Sequence, residues 1–242
     1  MPRTKTQTDI AAIKQSVTAA EAAMVAVMDY LALSDTPTSE QAKVIIDKVL
    51  AQHNCYSPES RIVAGGLRTH EPHYMGEGVI ERNQPIVIDI YPRSKETSFF
   101  ADMTRTICLG EPSAELQRMY DAVKVVQEKC IALLRPGASC DAIHQLAVDQ
   151  FIELGYKTTG SGSEFKFEEG FVHSIGHGLG TEVHAEPFFG SGRGNVLQVG
   201  DVVTIEPGLY YKHIGGVRLE DLFLIIENGY EQLTTLPLEL RI

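Results

Sequence analysis

Four carboxylates stand within segments whose other residues are typical of buried β-strands. A buried carboxylate without a partner is costly, so four of them together must share compensating positive charge. Arg105 and Arg218 could supply part of that charge. Divalent cations supply more of it in less space, and hard cations prefer carboxylate oxygens as ligands. The four acids are Asp89, Asp102, Glu206 and Glu220.

Strand alternation predicts that these acids face away from the apolar core. Successive side chains of a strand point to opposite faces, so Ile86, Ile88 and Ile90 share one face and Asp89 lies on the other. A single acid of this kind is usually at a sheet edge or paired with an arginine, so the prediction rests on all four acids together. Each of two hairpins would then offer an apolar face to helices and an acidic face to a ligand.

A glycine-rich segment, residues 171–187, carries three histidines, His173, His177 and His184. The glycines on both sides of His177 allow the backbone to approach a metal or a substrate closely. A lone histidine is more often a core or surface residue, but three in one segment favour a ligand or acid–base site. His73 and His70 form a second, smaller cluster, in which nothing around His70 supports a role.

Four carboxylates and an imidazole suit a pair of divalent metal ions. A single zinc site would use fewer acids and more nitrogen or sulfur ligands. A calcium loop would hold its acids within about twelve residues, whereas these extend from Asp89 to Glu220. The fold must therefore bring the acids together. Manganese is our first choice of metal, and cobalt, zinc or iron would also accept this ligand set.

The composition argues against several partners. A net charge of −11 disfavours nucleic acid, which requires a basic face. The longest near-apolar run, residues 22–33, is broken by Asp29 and is too short to span a bilayer, and no signal-peptide core follows the basic start. The four cysteines form no CxxC pair and are expected to be buried free thiols. We therefore expect a cytoplasmic chain without a membrane partner, with residues 1–5 as a frayed, solvated tail.

The elements that must position the site occur in the same order twice: two helices and then a strand hairpin. Apolar steps of three and four residues and serine or threonine caps predict helices over residues 8–33, 38–54, 113–134 and 139–154. Apolar and β-branched runs predict strands over residues 61–64, 85–91, 98–109, 202–210 and 216–226. This order predicts one α+β domain, residues 1–242, built from similar halves, residues 1–111 and 112–242.

The segments that carry these acids and histidines resemble the pita-bread metallopeptidases, the family of methionine aminopeptidases, aminopeptidase P and prolidases. The matching motifs are Ala-Asp-Met-Thr-Arg-Thr at residues 101–106, His-Ser-Ile-Gly-His-Gly-Leu-Gly at residues 173–180, Thr-Ile-Glu-Pro-Gly at residues 204–208 and Gly-Val-Arg-Leu-Glu-Asp at residues 216–221. The resemblance extends over residues 10–240. It implies the pita-bread fold, in which each half packs helices on an antiparallel sheet.

The resemblance also assigns five metal ligands. Asp89 would hold one metal, His177 and Glu206 the other, and Asp102 and Glu220 would bridge both. The separation of the first two acids, 102 − 89 = 13 residues, is slightly longer than is usual in the family. A longer turn at residues 92–97 would absorb the extra length, and a β-bulge is the alternative.

Further residues gain roles from the same resemblance. His73, His184 and Glu206 are expected to be catalytic, with Glu206 as the proton shuttle and His184 steadying the reacting carbonyl. His73, His173, His184 and Arg218 are expected to contact the substrate. His173 and Arg218 in particular resemble the proline-specific branch rather than the methionine aminopeptidases.

These roles imply hydrolysis of the amino-terminal bond of a short peptide, with Xaa-Pro peptides preferred, by a hydroxide that bridges two divalent metals. The resemblance leaves the oligomeric state open, and it includes a homodimer because relatives are often dimers. The sequence is expected to lack the amino-terminal domain of most proline-specific members, which leaves dipeptides and longer peptides both open as substrates. Two alternatives on the same fold also remain: a metal-dependent non-peptidase enzyme such as a lyase, and a non-catalytic protein-binding module.

Overall fold

Four α-helices form the helical part of the computed structural model, which describes residues 3–59, 61–159, 169–190 and 192–242. They are α1 Gln7–Leu33, α2 Ser39–Gln52, α3 Ala114–Ile131 and α4 Cys140–Glu153. The predicted caps Thr38, Ser113 and Ser139 each accept a hydrogen bond from the first turn of their helix. The first and second helices pack together, as do the third and fourth.

The strands are short and mostly antiparallel. Those before α3 are β1 Cys55–Tyr56, β2 Ile62–Gly65, β3 Pro85–Ile90, β4 Arg93–Ser94 and β5 Met103–Cys108. Those after α4 are β6 His177–Gly178, β7 Ala185–Phe188, β8 Val202–Ile205, β9 Gly208–Tyr211, β10 Gly215–Arg218, β11 Asp221–Ile226 and β12 Gly229–Gln232. The sheets have the orders β2-β3-β5 and β12-β11-β8-β6-β7, with small pairs β1-β4 and β9-β10. The predicted α+β class is confirmed.

Three predicted strands are shorter than expected, and each is interrupted at an acid of the candidate site. The strand predicted over residues 202–210 breaks at Glu206-Pro207, where proline cannot donate to a ladder. The strand predicted over residues 216–226 breaks at Leu219-Glu220, and the one predicted over residues 98–109 begins only after Asp102. The register between β3 and β5 is continuous from Pro85 to Ile90, so the turn rather than a bulge absorbs the extra residues before Asp102.

The predicted solvated tail is wrong from Arg3 onwards. Its guanidinium pairs with the fully buried carboxylate of Asp201, at 2.9 Å from Nε and 2.5 Å from Nη2. The backbone N–H of Lys5 also donates to Gly200 O at 2.8 Å. A buried carboxylate needs a positive partner, and this pairing holds the amino-terminal arm against the chain just before β8.

Helix α1 is long and apolar enough to cross a membrane by length and composition alone, and the core helix of a globular protein has the same properties. Its inner residues, among them Ile13, Val17 and Met24, are buried in the larger hydrophobic cluster. The near-apolar run of the sequence analysis, residues 22–33, is only the last part of this helix. All four cysteines are buried and free, as predicted.

A seam of polar contacts joins β5 to the segment around Glu220. The backbone N–H of Glu220 donates to Thr104 O at 3.0 Å, and that of Arg218 donates to Thr106 Oγ1 at 2.9 Å. Arg105 lies under this seam, where it donates to Glu220 O and to Asp221 Oδ1, both at 2.7 Å. The division into halves 1–111 and 112–242 stays a prediction, but residues from both sides of it meet here.

We expect the Arg105–Asp221 pair to be essential for stability. Both side chains are 2% exposed, so Arg105→Met leaves an unpaired buried carboxylate and should lower the free energy of unfolding by about 3–5 kcal/mol. The matched control is Arg241→Met, which removes an ion pair to Glu111 whose side chains are 64% and 71% exposed and should cost at most about 1 kcal/mol. Urea unfolding of both variants measures the difference, and equal losses would contradict the assignment.

Candidate metal centre

One cavity of about 470 Å³ is lined by every residue that the sequence singled out for chemistry. It lies between the ends of the strands and the segment that contains β6 and β7. The predicted residues on its wall are His73, Asp89, Asp102, His173, His177, His184, Glu206, Arg218 and Glu220. His73 and Glu220, which are 220 − 73 = 147 positions apart, therefore line the same cavity. The sequence predicted that such residues would meet but could not show how.

The four acids reach this cavity from strand ends rather than from the acidic faces that alternation predicted. Asp89 alone lies within a strand, one residue before the end of β3. Asp102 precedes β5, Glu206 follows β8, and Glu220 lies between β10 and β11. Within a regular strand the side chains stand perpendicular to the sheet, whereas irregular backbone at a strand end lets carboxylates from different strands turn toward one point.

Three of the predicted ligands form one compact group. Asp102, His177 and Glu220 each offer a ligand atom within 4.8 Å of the other two, and all three side chains are buried. Glu206 Oε1 lies 3.4 Å from His177 Nε2, and Asp102 Oδ2 lies 3.8 Å from the same nitrogen. His177 Nδ1 is 3.1 Å from Gly178 O, so it carries the ring proton and leaves Nε2 with a lone pair facing the acids.

The cavity brings together more carboxyl groups than the positive charge of Arg218 can compensate. Burial and the neighbouring acids raise the pKa of Asp102 and Glu220 well above their usual values, and burial raises the pKa of Glu206 to about 8. Burial also lowers the pKa of His177 to about 3, so the imidazole is neutral. One carboxylate oxygen each of Asp89 and Asp102 is buried and finds no hydrogen-bond partner within the described part of the chain. Several carboxylate oxygens and one neutral imidazole nitrogen fit divalent cations.

Arg218 is directed at Asp89 and the surrounding backbone. Its Nη2 donates to Asp89 Oδ2 at 2.7 Å, and its Nη1 donates to Tyr210 Oη at 3.0 Å and to Pro72 O at 3.2 Å. The guanidinium is buried, and these contacts occupy most of its donors. Arg218 therefore orients Asp89 in this structure, while the predicted contact with a substrate stays a prediction.

Tyr210 is a site residue that the sequence analysis missed. His173 Nδ1 lies 2.7 Å from Ser174 O and must donate to it, so Nε2, 2.9 Å from Tyr210 Oη, accepts the tyrosine proton. Burial lowers the pKa of His173 to about 3, in agreement with this neutral form. Tyr210 thus links His173 to Arg218. The signal was faint: Tyr210 lies an even number of residues after Glu206, but the strand between them is broken.

His73 and His184 are the exposed members of the set, at the mouth of the cavity. The ring centroid of His184 is 4.5 Å from that of His177, in an edge-to-face arrangement. Partial burial and the nearby Arg218 lower the pKa of His73, which favours the neutral ring. Both imidazoles are therefore placed where they can contact a bound molecule, in contrast to His173.

Comparison with known proteins agrees with this geometry. Residues 11–227 match the metallopeptidase family M24. The Xaa-Pro dipeptidase of Pyrococcus furiosus is 31% identical over 238 residues, which are 98% of this chain and 64% of the relative. The chain thus spans just under two thirds of the length of that relative.

Solved structures show the same fold. The prolidase from Pyrococcus horikoshii has a TM-score of 0.87 at 30% identity, with 98% of this chain and 65% of that chain covered. The X-Pro aminopeptidase from Thermotoga maritima has a TM-score of 0.88 at 28% identity, with 99% and 65% covered. These likenesses confirm the predicted pita-bread fold and, with the sequence match, show that the chain belongs to metallopeptidase family M24.

Proposed function

We propose that this chain is a metal-dependent peptidase that cleaves the bond after the first residue of short peptides and prefers proline as the second residue. The observation that carries the proposal is the single cavity onto which all five expected ligands converge, three of them within 4.8 Å. The relatives named above as an Xaa-Pro dipeptidase, a prolidase and an X-Pro aminopeptidase support the same substrate class. A complete ligand set favours an enzyme over a binding module.

The metals would be held by the five residues of the sequence prediction: Asp89, Asp102, His177, Glu206 and Glu220. Divalent ions held there would supply Lewis-acid chemistry: they would lower the pKa of a water molecule and polarise the scissile carbonyl. Manganese, cobalt, zinc and iron all accept this ligand set. Four buried free thiols support a reducing compartment such as the cytoplasm, and a homodimer stays a prediction.

The remaining chemistry belongs to side chains of the chain itself. Glu206 lies half-buried at the cavity wall and would accept the proton of the attacking water and return it to the leaving nitrogen. His184 would donate a hydrogen bond to the carbonyl oxygen as negative charge develops there. His73, which also lines the cavity, would orient the substrate. Arg218 would keep Asp89 in place through its 2.7 Å contact.

The metal proposal predicts two divalent ions per chain after reconstitution with Mn²⁺, measured by elemental analysis. Asp102→Asn and Glu220→Gln should each lose more metal than Asp89→Asn, because a bridging ligand serves both ions. Bound metal should also raise the midpoint of thermal unfolding of the parent chain. Glu111→Gln, at an exposed acid, is the control and should retain both ions. A content that stays near zero in the parent chain would refute the proposal.

The catalytic proposal predicts that His184→Ala lowers kcat by about 10²–10³, the loss usual for one donor to a developing oxyanion. The metal content should be unchanged, because His184 is outside the proposed ligand set. His53→Ala removes an exposed histidine after α2 and should behave as the parent. Steady-state kinetics and elemental analysis of both variants provide the test. Parent-like turnover by His184→Ala would remove this residue from the chemistry.

The substrate proposal predicts a higher kcat/KM for Ala-Pro and Ala-Pro-Ala than for Ala-Ala and Ala-Ala-Ala with the same metal-loaded enzyme. The matched peptides differ only at the second residue, so the comparison isolates its contribution. Equal values would refute the proline preference and leave the peptidase activity standing. Chromatography that quantifies the released alanine measures all four reactions.

A further inference from the structure

One acid on the wall of the metal centre has no part in the chemistry proposed above. Among the described residues, five carboxylates line the cavity of about 470 Å³, and four of them belong to the proposed metal ligands. The fifth is Glu59, an exposed residue between β1 and β2. Because a ligand carboxylate is committed to a bound cation, Glu59 is the lining acid that a positively charged part of a substrate can approach.

The pairing of β2 with β3 separates Glu59 from the ligands. Ile62 lies directly opposite Asp89 in the antiparallel register, so these two side chains share a face of the sheet. The strands run in opposite directions, and the residues before Ile62 therefore lie on the side of the residues after Asp89. Glu59 is three residues before Ile62, a length of chain that spans at most about 11 Å.

Tyr91 occupies the wall between Glu59 and the ligands. It follows Asp89 by two residues, is half-buried and lines the cavity. Burial raises the pKa of its hydroxyl, and the charges of Asp89, Glu59 and Asp102 raise it further. The tyrosine hydroxyl is therefore close both to two ligand acids and to Glu59, which places Glu59 at the outer end of the same wall.

The basic side chains nearby have other partners. Arg61 is close enough to Tyr91 to lower its pKa, but the Arg61 guanidinium forms an ion pair with Asp47. Across the part of the chain that the structure describes, no lysine, arginine or histidine forms an ion pair with Glu59. Its carboxylate is therefore available to a cation of the substrate.

The wall that leads to Glu59 is suited to a long basic side chain. Ile62 and the ring of Tyr91 line it, and Val183 also lines the cavity. Lysine and arginine lay their methylene stems along apolar surface and extend their charged end to a polar group. The face of a tyrosine ring also attracts a guanidinium or an ammonium group.

The first residue of the peptide is the one that can carry such a side chain to Glu59. In the proposed function the second residue is proline, whose side chain is a closed ring without charge. The amino group of the first residue is separated from the scissile carbonyl by one carbon atom, so it stays near the metal ligands. Only the end of a long first side chain reaches the outer end of the wall.

We infer that Glu59 selects peptides whose first residue is arginine or lysine, by forming an ion pair with the charged end of that side chain. This inference rests on the proposed function and deepens it by naming the first residue of the substrate. Glu59 is exposed, so the pair is worth about two- to fivefold in kcat/KM, the range of exposed ion pairs. The selection should also weaken as ionic strength rises, because salt screens exposed charges.

The first test compares Arg-Pro with citrullyl-Pro, which has nearly the same shape but no charge. With the metal-loaded parent enzyme, kcat/KM should be about two- to fivefold higher for Arg-Pro. Glu59→Gln should bring this ratio close to one. Glu128→Gln, at an exposed glutamate on α3 that lines neither the metal centre nor its neighbouring cavity, is the matched control and should keep the parent ratio.

Two outcomes of this comparison overturn the inference alone. One is an equal kcat/KM for Arg-Pro and citrullyl-Pro in a parent enzyme that cleaves both. The other is a loss of the same size with both peptides in Glu59→Gln, because Glu59 would then act on a part that the two substrates share. Absence of cleavage of every Xaa-Pro peptide refutes the proposed function and this inference with it.

The second test reverses the charge and adds a readout that is independent of turnover. Glu59→Lys should prefer Glu-Pro to Gln-Pro, whereas the parent should show the opposite order. Calorimetry with the metal-loaded parent should show that arginine, the released first residue, binds about two- to fivefold more tightly than citrulline. Glu59→Gln should bind both amino acids equally. An unchanged order of Glu-Pro and Gln-Pro in Glu59→Lys, or equal binding of arginine and citrulline by the parent, would contradict the role of Glu59.

Discussion

The fold depends on holding several buried carboxylates in one place against their mutual repulsion. Burial and the neighbouring acids raise the pKa of Asp102 and Glu220, so these two acids ionise at neutral pH only with positive charge nearby. The chain itself supplies one such charge, the guanidinium of Arg218, which forms an ion pair with Asp89. Among the residues that the structure describes, Oδ1 of Asp102 is buried and has no hydrogen-bond partner. This excess of carboxylate oxygens over positive charge fits the proposed binding of divalent cations.

The seam between β5 and residues 218–221 keeps those acids in register. Thr104 contributes twice, since its carbonyl accepts from the Glu220 backbone and its hydroxyl donates to Glu220 Oε2 at 2.8 Å. Arg105 crosses beneath to Asp221, which also accepts from Gln127 and Thr234. A buried ion pair contributes little net stability unless its hydrogen bonds are satisfied, and here they nearly all are. The seam fixes the relative position of acids that lie far apart in the sequence.

Close backbone packing brings the histidine segment to the same place. A Cβ on Gly176 would lie 2.1 Å from Thr204 O, and one on Gly178 would lie 2.2 Å from Glu186 O. Only glycine permits these approaches. They hold His177 against the acids, where its backbone N–H donates to Thr204 Oγ1 at 3.1 Å. The glycines that first marked this segment as a candidate site are therefore required by its packing.

Much of this protein could be predicted from its sequence because the relevant forces are local. Helical periodicity and caps such as Thr38 and Ser113 depend on residues a few positions apart, and the helices were confirmed within a few residues at their ends. Acids placed among apolar residues predicted a ligand site, because a buried charge is costly unless a partner or a bound cation compensates it. The nine candidate residues were found in this way and through the family resemblance.

Other features were decided only by tertiary structure. Asp102, Glu206 and Glu220 lie at strand ends instead of on strand faces, Tyr210 links His173 to Arg218, and the amino-terminal arm is held by an ion pair to a buried acid. Strand alternation and secondary-structure propensity are properties of a single chain segment, whereas each of these features involves at least two segments. Each depends on a contact between groups distant in sequence, and such a contact acquires its energy only when folding removes both groups from water.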